Sequence, residues 1–129
     1  MARAARIAVL RRDLMARPGV TEETPFGSGV LVYKVMGKMF ALTPAADADG
    51  ISLKCDTHLS EVLREQYAGV TAGYHLSKRH WNSIALNADV PETEILRLIG
   101  HSYDLVRAGL TRKQRALVVA LGVAAAPGR

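Results

Sequence analysis

The residues best equipped for chemistry stand close together, from Tyr74 to Trp81, where His75, Lys78, Arg79 and His80 lie between two aromatic rings. Cations there can meet phosphates while a flat ring stacks on a base. The plainer reading makes Trp81, with Leu76, a core anchor of neighbouring strands and leaves Lys78 and Arg79 to solvate a loop. A second basic group, Arg112, Lys113 and Arg115, is denser and can grip a phosphate backbone or an acidic partner without reading sequence. A solvated helix start has the same composition. Lys54, Lys34 and Lys38 add single cations from strand positions, where a lysine often only protects a surface.

The remaining chemistry-bearing residues form weaker patterns. Four histidines, His58, His75, His80 and His101, invite a metal, but no CxxC or HExxH spacing accompanies them. Cys55 can in principle pair with His75 or His80 as nucleophile and base, since such partners meet only in space. Yet Cys55 continues the alternation of Ile51 and Leu53, where a thiol acts as a small buried hydrophobe. Gly27-Ser28-Gly29 lacks the surroundings of a nucleophile elbow or a phosphate loop, which makes Ser28 a turn residue. The sequence therefore assigns no catalytic residue, no metal and no cofactor, and its expectation is a binding protein rather than an enzyme.

Composition narrows the partners. A chain of 129 residues, 49% hydrophobic and 22% charged, suits one globular core without disulfide or metal staples. The single cysteine, the absence of an export signal and the absence of a long apolar run lead to the expectation of a cytoplasmic, membrane-free protein. Net charge is +5, but residues 1–17 carry five arginines and one aspartate, and residues 107–129 carry four arginines, one lysine and no acid. That leaves −4 for residues 18–106, so polyanion binding must rest on the ends or on local clusters.

The elements that position these residues follow from periodicity. Ile7, Leu10 and Leu14 share a helical face that Pro18-Gly19 ends. Val30 to Met36 and Met39 to Thr43 read as strands joined by a type II′ turn with Gly37 first. Ile51 to Cys55 alternates as a third strand, and Asp56 caps a second helix that Gly69 stops. Val70 to Tyr74 and Trp81 to Asn87 follow as strands. Pro91 opens a third helix, with Glu92 and Glu94 at its positive end and Arg107 near its negative end, and Thr111 starts a last one.

The result is an α+β, two-layer α/β sandwich: a mostly antiparallel five-stranded sheet with helices on one face, in the order α-β-β-β-α-β-β-α. The other face stays open. If Ile51, Leu53 and Cys55 point inward, Ser52 and Lys54 point outward, and an outward Lys34 brings Val30 and Val32 with it. A mixture of valines and lysines is more than a solvated surface needs, so the open face can also receive a protein partner or another copy of the chain.

Several segments carry a resemblance. They are Leu14 to Val20 (LMARPGV), Thr24 to Gly27 (TPFG), Lys38 to Leu42 (KMFAL), Ile51 to Asp56 (ISLKCD), Gly73 to Ser83 (GYHLSKRHWNS) and His101 to Val106 (HSYDLV). Together they resemble the MmcQ/YjbR-like family of small bacterial proteins over about residues 5–116. The resemblance implies a secretion-chaperone or frataxin-like fold in the same element order, and DNA binding through paired β-wings. It brings no metal, cofactor or catalytic residue. The expected domain is 1–116, followed by an extension, 117–129, that is partly helical or disordered. Two functions are carried forward: DNA-backbone contact with weak sequence preference through Lys54, the 74–81 loop and Arg112, Lys113 and Arg115, or protein interaction on the open sheet face.

Overall fold

The computed structural model describes residues 3–27, 29–44, 50–73 and 76–125. The element order is α1 (Arg3–Ala16), β1 (Val20–Glu23), β2 (Val30–Val35), β3 (Lys38–Pro44), β4 (Gly50–Lys54), α2 (Thr57–Gln66), β5 (Val70–Ala72), β6 (Trp81–Ala85), α3 (Glu92–Ala108) and α4 (Arg112–Ala125). The strands form one six-stranded sheet, β1-β2-β3-β4-β6-β5, every pair antiparallel. The expected fold class stands, with one strand more than the sequence suggested.

That added strand, β1, pairs Val20 with Val35 and Glu22 with Tyr33. Its four residues include two glutamates, a composition that favours loops. Tertiary partners decide it: Arg11 forks onto Glu22 with two bonds of 2.7 Å, and the Tyr33 hydroxyl donates to the same carboxylate at 2.7 Å. The β2–β3 turn is also corrected. Its two residues are Met36 and Gly37, with φ of 50° and 80°, which is a type I′ turn one residue earlier than expected.

Register sorts side chains between two faces. Tyr33 opposes Ala41, Ala41 opposes Leu53, and Leu53 opposes Asn82, so these residues share the helix side. There Leu10 and Leu14 of α1, Leu63 of α2 and Leu98, Ile99 and Val106 of α3 close a core with Tyr33, Phe40, Ile51, Leu53 and Ile84. A bulge in β3, where Tyr33 opposes Ala41 but Lys34 opposes Met39, turns consecutive residues Phe40 and Ala41 both inward. Ser102 then donates to the Phe40 carbonyl at 2.6 Å and the Tyr103 hydroxyl to Pro18 at 2.5 Å, which fixes α3 across the sheet.

The helix ends follow the sequence. Asp56 accepts the Leu59 amide at 3.1 Å. Thr111 and Gln114 exchange bonds of 3.0 and 3.1 Å in a reciprocal capping box that starts α4. Helix α4 runs unbroken through position 116, and Val118 is fully buried against Gly19.

Candidate binding surface on the open sheet face

Among the described residues no helix lies over the opposite face of the sheet. Val32 opposes Leu42 and Glu23, Leu42 opposes Ser52, and Ser52 opposes Ser83; alternation adds Val30, Lys34, Lys54 and Trp81 to this side. A groove of about 600 Å³ lies here, lined by Phe26, Val30, Met39, Leu42, Leu76, Ser52 and Ser83 among others. Its size is that of a ligand site. Phe26, in the β1–β2 loop, is 67% exposed and forms one wall, while Leu76, from the β5–β6 loop, forms another. On the floor the Ser52 and Ser83 hydroxyls are 2.9 Å apart and hydrogen-bonded.

The β5–β6 loop is held in place by Arg64 of α2. Its guanidinium donates to Asn82 Oδ1 at 2.7 Å, to Ser60 Oγ at 3.0 Å, to the Trp81 carbonyl at 3.3 Å and to the Lys78 carbonyl. Asn82 and Ser60, both buried, exchange bonds of 2.9 and 3.3 Å beneath it. Gly73 has to be a glycine, because a Cβ there would stand 2.7 Å from Cβ of Trp81. Ser77 accepts the amides of His80 and Trp81 at 3.2 and 3.0 Å, and Cys55 donates to the His80 carbonyl at 2.8 Å.

The cations foreseen from the sequence divide into two groups. Lys54 opposes Trp81 at the sheet end where the β5–β6 loop turns, and Lys78, Arg79 and His80 are exposed on that loop. Lys38, beside the β2–β3 turn, shares that end. Among the described residues none of Lys38, Lys54, Lys78 and Arg79 forms an ion pair, although Glu61 lines the cleft between α2 and the loop. Lys34 is different, being bound to Glu23 at 3.2 Å.

Arg112, Lys113 and Arg115 belong elsewhere. Helix α4 packs through Val118 and Gly122 on Gly19 and Pro18, beside β1, which stands four strands from β6 in the sheet order. Arg115 also turns back to donate to the Leu110 and Ala108 carbonyls at 2.9 and 3.2 Å, closing the end of α3. Among the described residues no hydrogen bond or ion pair links this cluster to Lys54, Lys78 or Arg79.

Trp81 is 7% exposed, which leaves it no free ring face for stacking; it takes the structural role. Tyr74, His75 and Ser28 lie outside the described residues. Leu76, read from the sequence as a core anchor, stands in the groove wall instead. The sequence reading also missed Phe26, Leu42 and Arg64. The β3 bulge hides Leu42 from simple alternation, and nothing local marks Arg64 as the residue that reaches Asn82, eighteen positions away in the chain.

Burial and ion pairing shift several titratable groups on the helix side of the sheet. Burial, then the nearby Asp56 charge, pushes the Cys55 thiol up to about 11, so it remains protonated at neutral pH. Burial and the bond to Glu22 raise the Tyr33 hydroxyl far above the ordinary phenol value, and the Arg11 bond holds the Glu22 carboxyl below its own. His101 Nε2 accepts the Asp56 amide at 3.2 Å. Among the described residues no three histidine, cysteine, aspartate or glutamate side chains gather as metal ligands, and no helix is long and apolar enough to cross a membrane.

The likenesses to known proteins cover most of this structure. The YjbR family model matches residues 15–105. The Escherichia coli protein YjbR is 30% identical over 116 residues, which is 89% of this chain and 98% of that protein. YyaQ of Bacillus subtilis is 35% identical over 77 residues, 60% of this chain and 64% of that one. A crystal structure of a Deinococcus radiodurans protein, with domain DUF419, superimposes with a TM-score of 0.80 at 33% identity, covering 88% of this chain and 87% of the other. A Pseudomonas syringae protein gives 0.62 at 26% identity, over 81% and 98% of the two chains. From Met15 to Leu105, through the bulged strand, the loop clamp and most of α3, this chain belongs to the YjbR family.

Proposed function

We propose that this chain is a non-enzymatic interaction module that receives a protein partner on the open face of its sheet. The carrying observation is the apolar groove of about 600 Å³ between Phe26 and Leu76, on the one broad face that no helix covers. Large apolar surface left beside water is a mark of interaction sites. A side chain such as Phe26, which adds nothing to the core, gains a purpose if it closes over a guest. The anionic dye anilinonaphthalene sulfonate reads such surface directly. The folded protein should enhance its fluorescence, and Phe26→Asp should abolish most of the enhancement without changing the circular dichroism. Equal enhancement by the variant would contradict the reading.

DNA-backbone contact is the second reading, favoured by the unpaired Lys38, Lys54, Lys78 and Arg79 at one end of the sheet. With Trp81 buried, its support reduces to phosphate contact without base stacking. Duplex binding through these four cations should lose affinity with salt at a log–log slope no steeper than about −4. Lys78→Ala with Arg79→Ala should shrink that slope by about 2. An unchanged slope would take this loop out of any DNA interface.

A further inference from the structure

Among the described residues the sheet groove has no charged side chain in its lining, and the loop cations belong to a different hollow. A cleft of about 310 Å³ separates α2 from the β5–β6 loop. Thr57, Glu61 and Arg64 line it from the helix, and Lys78 and Arg79 from the loop. We propose that this cleft is a second binding site, independent of the open face, for a small organic phosphate that carries hydroxyl groups. The phosphate meets Arg64, Lys78 and Arg79, and the hydroxyls meet Glu61.

Charge is the first argument. Three cations share this cleft with one carboxylate. Glu61 and Arg64 stand three apart on α2, where neighbours often pair, yet among the described residues no ion pair joins Glu61 to Arg64, Lys78 or Arg79. Arg64 is turned instead onto neutral acceptors, using Nε and Nη2 for the Asn82 and Ser60 side chains and the Lys78 and Trp81 carbonyls. Its charge is thus fixed in place without a counter-ion, and among the described residues Nη1 keeps its donors free. A guanidinium already aligned in this way suits a phosphate, which accepts several charge-assisted bonds at once. The start of α2 also favours an anion, although Asp56 caps that end, so the side-chain cations carry most of the attraction. Size and Glu61 define the rest of the ligand. About 310 Å³ is the lower end of small-molecule sites, more than a bare anion fills. Glu61, an acceptor without a partner, suits hydroxyls on the phosphate's carrier, whereas it repels a naked phosphate.

Ribose 5-phosphate, inorganic phosphate and ribose are the probes, titrated into the labelled full chain and followed by amide chemical shifts. Ribose 5-phosphate should bind most tightly, with the largest changes at Thr57, His58, Lys78 and Arg79 and none at Leu42 or Ser52 in the groove. Lys78→Ala with Arg79→Ala, both at exposed positions, should weaken it by about tenfold or more. Glu61→Ala should improve inorganic phosphate several-fold by removing a like charge, and should narrow the advantage of ribose 5-phosphate. Absence of saturable shifts with millimolar ribose 5-phosphate would overturn the site, as would an affinity that the loop variant leaves unchanged. Equal affinity of the unaltered protein for phosphate and ribose 5-phosphate would overturn the organic ligand. Duplex DNA that binds through Lys78 and Arg79 where ribose 5-phosphate does not would overturn the proposal and return these cations to the phosphate-backbone reading.

Discussion

The two faces of this sheet are made by the same strands and differ in almost every other respect. On the helix side Tyr33, Phe40, Ile51 and Ile84 are at most 2% exposed and meet leucines and isoleucines from α1, α2 and α3. On the other side Val30, Met39 and Leu42 are only half-buried, serines occupy the floor, and a lysine ends the row. Alternation lets one strand serve both purposes, because a change at an odd position leaves the even positions untouched. The contrast teaches that the fold is held from one side and that the other is available for recognition. Val32 and Trp81 are exceptions, open-face residues that are buried yet outside the helix-side cluster, so Val32→Asp would report on folding rather than on an interface.

Substitution across the two faces should therefore give unequal losses of stability. Phe40→Ala empties a sealed site, removes the edge-on contact with Tyr103, 5.6 Å between ring centres, and should cost about 3–5 kcal/mol in urea unfolding. Arg64→Ala comes next. It strips bonds from the buried Ser60–Asn82 pair and frees the loop, and should cost about 1–3 kcal/mol, with faster amide exchange at His80 and Trp81. A loss confined to stability, with exchange at the loop unchanged, would show that Arg64 is not its anchor. Asp56→Ala removes the α2 cap and should cost about 1 kcal/mol.

Acid should act on the fold through carboxylates. Asp89 accepts the Gly69 and Ala68 amides at 2.7 and 2.8 Å, and these bonds hold its carboxyl below the ordinary aspartate value. Glu22, held by Arg11, is lowered too. A group lowered on folding contributes stability that is present above its unfolded pKa and is lost as pH falls through the folded one. Unfolding midpoints should accordingly drop on acidification below the usual carboxylate range, and Asp89→Asn should flatten that dependence. Smallest of all is the effect of Phe26→Asp on stability, within about 0.5 kcal/mol; a larger loss would mean that this ring belongs to the fold after all.

The helix side was readable because its signals are local and repeated. Ile51, Leu53 and Cys55 alternate, Leu10 and Leu14 recur at helical spacing, and Asp56 and Thr111 stand where caps are needed. What escaped depends on contacts between distant segments. Strand β1 exists because Arg11 and Tyr33 satisfy Glu22, and the bulge that turns both Phe40 and Ala41 inward breaks the alternation that would have revealed it. Met36 at φ 50° is an uncommon conformation for a residue with a side chain, which is why Gly37 drew the turn one position late. The site was half legible. Lys54, Lys78 and Arg79 were visible as charges, whereas the walls made by Phe26 and Leu76 appear only once strand order is known.

The direct test of the central claim is to map, by amide chemical shifts, where a leucine-rich peptide lands on the labelled protein. Recognition on the open face predicts the largest changes at Leu42, Ser52, Lys54, Leu76 and Ser83, with α1 and α4 quiet. Changes centred on Arg112, Lys113 and Arg115, or spread through the helix layer, would contradict it.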